Sequence, residues 1–160
     1  AHGFDPTPRA IAYVKALAVD GFVLHEVGVA AERGPATFYL PNDESFVSGS
    51  IAQVEHLGQR RVEVELVTLR DVFQTVGTTS IDLLKLDIEG AEYALIQSDE
   101  FTTIAPRLGM LCIEFHHRWN TFGAEATRAA VRRLADLGLI CVWGSPTSNE
   151  EFTFVPRSRQ

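Results

Sequence analysis

Leu83, Leu84, Lys85 and Leu86 run directly into Asp87, Ile88, Glu89 and Gly90, and helix-forming residues follow from Ala91. This strand-to-helix junction constrains the fold more than any other stretch. A near-continuous apolar run reads as a parallel strand buried on both faces. In open α/β sheets, ligands bind outside the carboxyl ends of the strands. The junction therefore predicts an α/β sheet with Asp87 and Glu89 at its ligand edge. Two such carboxylates can accept a proton, hold a hydroxyl or bind a cation. The plainer alternative is that Glu89 only offsets the positive end of the following helix. The burial expected of the strand favours function for Asp87. Lys85 is foreign to a buried strand, so it either snorkels out or pairs with an acid.

The rest of the chain alternates between strand and helix patterns, as a parallel sheet built from βαβ units requires. A strand tail at residues 1–4 precedes Thr7 and Pro8, an N-cap and first-turn pair. Ala10, Tyr13, Val14 and Leu17 then mark the inward face of a helix ending at Gly21. Strands are expected at residues 22–30, 110–115, 140–143 and 152–155, and extra extended segments at 35–42 and 61–69. Residues 69–76 and 124–137 read as helices. Residues 41–59 are polar and read as a loop or insertion. The turn-rich residues 144–149 suggest a hairpin that makes the last strand antiparallel.

Length and composition describe one soluble domain over residues 1–160. The net charge of −7, with basic residues scattered, argues against a nucleic-acid partner. No apolar run approaches the roughly 20 residues of a membrane span. Cys112 and Cys141 each lie in an apolar strand-like run, where a free cysteine is usually a small core residue. They should not form a disulfide, and a reduced, cytoplasmic setting follows. The chain opens at Ala1 without methionine, consistent with processing or with a longer parent.

Two further places carry candidate chemistry. Asp5 ends the first strand and can accept hydrogen bonds from ribose hydroxyls, although position alone favours a turn aspartate before Pro6. Glu114 and His116 end the strand at residues 110–115. If that strand is the parallel neighbour of the one ending at Asp87, the two ends lie about 5 Å apart. His116 would then be a candidate general base, whereas His117 suits an exposed loop. The 12 glycines include no Gly-x-Gly pair, and there is no phosphate-binding loop, His-Glu-x-x-His or Gly-x-Ser-x-Gly.

The residues from Asp82 through Glu92 resemble the signature of the FkbM family of S-adenosylmethionine-dependent methyltransferases. Residues 3–8, Phe38-Tyr39 with Asn42, Asp43 and Ser45, and residues 111–116 resemble the family's other blocks, in order. The resemblance implies a class I, Rossmann-like methyltransferase sheet ordered 3-2-1-4-5-7-6 with the last strand antiparallel. It implies S-adenosylmethionine as methyl donor and a hydroxyl of a small molecule, sugar or glycolipid as acceptor. Asp5 would bind the ribose, and Asp87 would lie beside both cofactor and acceptor. Asp87, Glu89 and His116 would be the catalytic candidates, with no metal ligand assigned.

The chain departs from the family in one respect: the family's first strand and glycine-containing loop have no counterpart before Asp5. That strand lies mid-sheet, so its loss would leave a slot of about 9.6 Å. The expectation is therefore an N-terminally truncated methyltransferase domain, or a non-catalytic relative serving as an interaction module. A metal-dependent hydrolase using Asp87, Glu89 and His116 is a weaker third reading, because a single histidine is a sparse ligand set. The acceptor, the oligomeric state and any metal requirement are not written in the sequence.

Overall fold

The computed structural model describes residues 1–41, 49–52, 57–119 and 121–157, and its helices and strands alternate along the chain. β1 (His2–Phe4) pairs in parallel with β2 (Val23–His25) through α1 (Pro8–Leu17). Pro8 opens the helix where its missing N–H is not needed. The helix stops at Ala18, in the left-handed conformation with φ 45°, before reaching Gly21. Its expected inward face is only half covered: Ala10 and Val14 are half-buried, while Tyr13 is 65% exposed and Leu17 is 53% exposed. An apolar stripe needs a facing surface, and the two-stranded β1–β2 ribbon offers little.

The single strand expected over residues 22–30 is in fact two. β2 ends at His25, and β3 (Gly28–Val29) joins another sheet, parallel to β5 (Leu57–Val67). β4 (Gly34–Pro41) completes that sheet, antiparallel to β5. At Gly28 a Cβ would lie 2.6 Å from Leu66 Cδ2, so a larger residue there would push the leucine tip aside. Along β5, Val62, Val64 and Leu66 face partly inward and Glu63 and Glu65 outward, as their alternation predicts. The loop expected over residues 41–59 is shorter than that. Pro41 belongs to β4, Leu57 begins β5, and buried Ser50 bridges to Tyr39. Residues 42–48 and 53–56, which include Asn42, Asp43 and Ser45, lie outside the described residues.

From residue 69 onward the chain builds a core. α2 (Leu69–Val76) opens on a reciprocal cap between Thr68 and Asp71 and closes at Gly77, φ 71°. β6 (Leu84–Leu86), α3 (Glu92–Gln97), α4 (Asp99–Ile104), a 3-10 turn (Ala105–Arg107), β7 (Leu111–Glu114), α5 (Gly123–Asp136), β8 (Leu139–Gly144) and β9 (Glu151–Pro156) follow. Their strands form one sheet in the order β6-β7-β9-β8. β6 and β7 are parallel, and β9 is antiparallel to both of its neighbours. Cys112 and Cys141 are free, on strands separated by β9.

The main core joins this sheet to α2, α3, α4 and α5 through Phe73, Leu95, Ile96, Phe101, Phe115 and Leu134, among others. The helix expected over residues 124–137 is α5, with Ala130 and Leu134 buried and Val131 and Leu137 packed partly against the core. One expectation fails at β6. The run was expected to be buried on both faces, but Leu83 is 57% exposed, Lys85 is exposed, and only Leu86 is buried. The reason is pairing: among the described residues β6 has β7 on one side and no strand on the other.

Candidate functional site

Asp87 leaves the carboxyl end of β6, and the chain turns sharply into α3. Glu89 (φ 54°) and Gly90 (φ 95°) are both left-handed, a conformation glycine adopts freely and glutamate only at some cost. Gly90 is required for a second reason. A Cβ there would lie 2.5 Å from Phe122 Cε2. The turn is clamped from inside by Glu92, which is fully buried. Its carboxylate accepts the N–H of Ile88 at 2.8 Å and of Gly90 at 2.9 Å. From outside, the buried Ser50 hydroxyl donates to the Glu89 carbonyl at 2.5 Å.

β7 delivers His116 to this turn, because the strand is the parallel neighbour of β6. The imidazole is 1% exposed and packs against Trp119, with ring centroids 4.7 Å apart. Nε2 lies 3.1 Å from Glu89 Oε2 and 3.9 Å from Asp87 Oδ1. Nδ1 lies 3.2 Å from Glu92 Oε1, within ion-pair reach but without hydrogen-bond geometry. Burial disfavours the imidazolium, but the carboxylates of Glu89 and Glu92 outweigh it and push the pKa up to about 10. At neutral pH His116 is thus a cation with no lone pair at Nε2. A general base needs an unprotonated nitrogen, so the role expected of His116 requires loss of the Nε2 proton that Glu89 holds.

Lys85 resolves as the acid-paired alternative, with Nζ 3.1 Å from Asp87 Oδ2 and the side chain in solvent. Glu114 keeps its proton more readily than a free carboxyl, first because of burial and then because of the Asp87 charge. Arg118 pairs with Glu150 and approaches Glu114 at 3.9 Å. His117 is half-buried rather than exposed. Asp5 uses one oxygen as the turn aspartate does, with Oδ1 accepting the Thr7 N–H at 2.7 Å.

Asp5 and Asp87 nevertheless meet at one place. A cavity of about 220 Å³ is lined by Asp5 and Thr7 after β1, Gly28 and Leu66 from the second sheet, and Asp87 and Glu89 after β6. His116 lies behind Glu89 rather than on the wall. The cavity is thus walled by carboxylates that stand at the carboxyl ends of two strands, β1 and β6.

Residues 2–141 match the model of the methyltransferase FkbM domain. The chain belongs to the FkbM methyltransferase family. No curated protein and no solved structure gives a significant match. Among the described residues, no helix of this FkbM-family chain is long and apolar enough to cross a membrane. Two residues that organise the site went unread in the sequence. Glu92 had a signal, an acid in the first helical turn behind a glycine turn, which often reaches back to free N–H groups. Ser50 had none, since it acts on a residue 39 positions away.

Proposed function

We propose that residues 1–160 are one S-adenosylmethionine-dependent O-methyltransferase domain acting on a hydroxyl of a small molecule, sugar or glycolipid. The observation that carries this reading is the cavity with Asp5 on one wall and Asp87 and Glu89 on the other, in a chain of the FkbM family. The sheet order supports it. In the class I arrangement 3-2-1-4-5-7-6, β2 and β1 correspond to strands three and two, and β6-β7-β9-β8 correspond to four, five, seven and six. The place of strand one, between β1 and β6, is taken by no described strand.

The residues suit the cofactor chemically. The free capacity of the Asp5 carboxylate can accept from ribose hydroxyls, and Asp87 faces the same space. The cavity is smaller than the roughly 300 Å³ at which ligand pockets begin, so it takes only part of the molecule between its walls. The bound cofactor supplies a sulfonium-activated methyl group, and positioning then accounts for most of the rate. Asp87 or Glu89 would accept the acceptor's hydroxyl proton while the bound cofactor supplied the methyl group to that oxygen. His116 fixes Glu89 through its charged Nε2–H.

The test is an amide and side-chain NMR titration of this chain with S-adenosylhomocysteine. The expected result is saturable binding, weaker than micromolar, with shifts confined to residues 4–7 and 87–91. Micromolar binding would show that the cavity is complete. Absence of site-specific shifts at millimolar ligand would overturn the reading and favour a non-catalytic interaction module.

A further inference from the structure

We propose that Asp87, Glu89 and His116 form a binding site for a first-row divalent metal ion. Three donors from two loops converge: Asp87 Oδ, Glu89 Oε and His116 Nε2 all lie within 4.8 Å of one another. A metal–ligand bond of about 2.1 Å sets an upper limit near 4.2 Å between two donors on one ion. The two separations from Nε2, 3.1 Å to Glu89 and 3.9 Å to Asp87, are both inside it. The Asp87–Glu89 separation is within 4.8 Å, and exposed Asp87 can rotate to close what remains.

The surroundings of the histidine separate this triad from an ordinary cluster of surface acids. A metal-bound imidazole is commonly oriented by a carboxylate at its other nitrogen. Glu92 stands in that position, fully buried, 3.2 Å from Nδ1. Its own oxygens are fixed by two backbone N–H groups, so it cannot swing away. Nδ1 thus faces Glu92 at ion-pair distance, and Nε2 is directed at Asp87 and Glu89. The backbone contributes as well. Glu89 holds a left-handed conformation that glycine would adopt at less cost, and Ser50 pins its carbonyl.

One imidazole and two carboxylates suit manganese, iron, cobalt or zinc better than magnesium or calcium, which prefer all-oxygen sites. Asp87 and Glu89 both line the cavity, so the remaining coordination positions open onto it. There an ion would meet a hydroxyl of the acceptor; that role rests on the proposed methyltransferase reading, whereas the metal site itself does not. On binding, the metal takes the place of the Nε2 proton, which goes to solvent.

The test uses the chelator-treated chain with no cofactor present and Mn²⁺ as probe, followed by calorimetry and by paramagnetic broadening in NMR spectra. One ion per chain is expected, with broadening centred on Glu89 and His116 and weaker binding of Mg²⁺. Glu89→Gln and Asp87→Asn should each weaken Mn²⁺ by about tenfold or more. Glu125→Gln, on the outer face of α5, should leave it unchanged. Near-UV circular dichroism confirms that each variant is folded. Equal Mn²⁺ affinity in all three variants, broadening spread over surface acids, or no binding at all would overturn the site and leave an ion-pair cluster. Because no cofactor is used, such a failure would be distinct from loss of the S-adenosylhomocysteine shifts.

Discussion

α1 and α5 carry similar amphipathic patterns and meet opposite fates. α5 lays Ala130 and Leu134 into the core, while α1 only half-buries Ala10 and Val14 and leaves Tyr13 and Leu17 in solvent. The difference lies in what each helix faces. α5 lies against a four-stranded sheet and α3; α1 has beside it the two-stranded ribbon β1–β2. Val19 and Val23, near α1 in sequence, are 54% and 48% exposed, and Leu83, just before β6, is 57% exposed. A hydrophobic stripe shows that a helix has a side to cover. It does not show that this chain covers it. The two halves should therefore differ in how much each residue contributes to stability.

The largest effect is expected inside the well-packed half. Glu92→Ala removes one of the two carboxylates that hold buried His116 charged and frees two N–H groups of the site turn, at a cost of about 3–5 kcal/mol. Urea unfolding measures it; a loss no larger than that of a surface substitution would mean that Glu92 is not the clamp described here. Leu134→Ala should cost about 2–5 kcal/mol by opening a cavity under α5. The counterpart Leu17→Ala should change stability by no more than about 0.5 kcal/mol. The comparison breaks if the two leucine variants unfold alike, because α1 must then be covered in solution.

Titration probes the same clamp more gently. The folded pKa of His116, about 10, lies above the ordinary histidine value of 6.5. The folded state therefore binds the proton more tightly, and stability rises as pH falls. In metal-free protein this contribution is complete below pH 6.5 and fades as pH climbs towards 10. Tyr93, raised to about 12 mainly by burial, stays protonated through that window. Melting temperatures between pH 6 and pH 10 should fall in the wild type and fall less in His116→Gln. Parallel curves would reassign the pH dependence to other groups.

The smallest of these effects outside α1 should be at the α2 cap. Thr68→Ala removes the hydroxyl that accepts the Asp71 N–H, at about 1 kcal/mol. Thr7 begins α1 without any side-chain cap hydrogen bond, so Thr7→Ala should cost less than Thr68→Ala in the same urea assay. Equal costs would show that the two helix starts are more alike than their geometry indicates.

The sequence by itself determined what local chemistry can encode. Pro8 started α1, residues 69–76 folded as the helix read from them, and Gly138 stopped the chain after α5. The carboxylates after Leu86 stood at a strand end, and parallel pairing with β7 was enough to bring His116 to them. Apolar periodicity, turn residues and caps act over a few positions, which is why these features were legible. The tertiary structure decided the rest. It left the face of α1 half covered, split residues 22–30 between two sheets and made Glu92 and Ser50 the holders of the site. It also placed His116 among carboxylates that favour its charged form. That charge state is the sum of burial and of fields from Glu89 and Glu92, groups more than twenty residues away in sequence. No local pattern contains such a sum, since it exists only once distant segments have been packed around one imidazole.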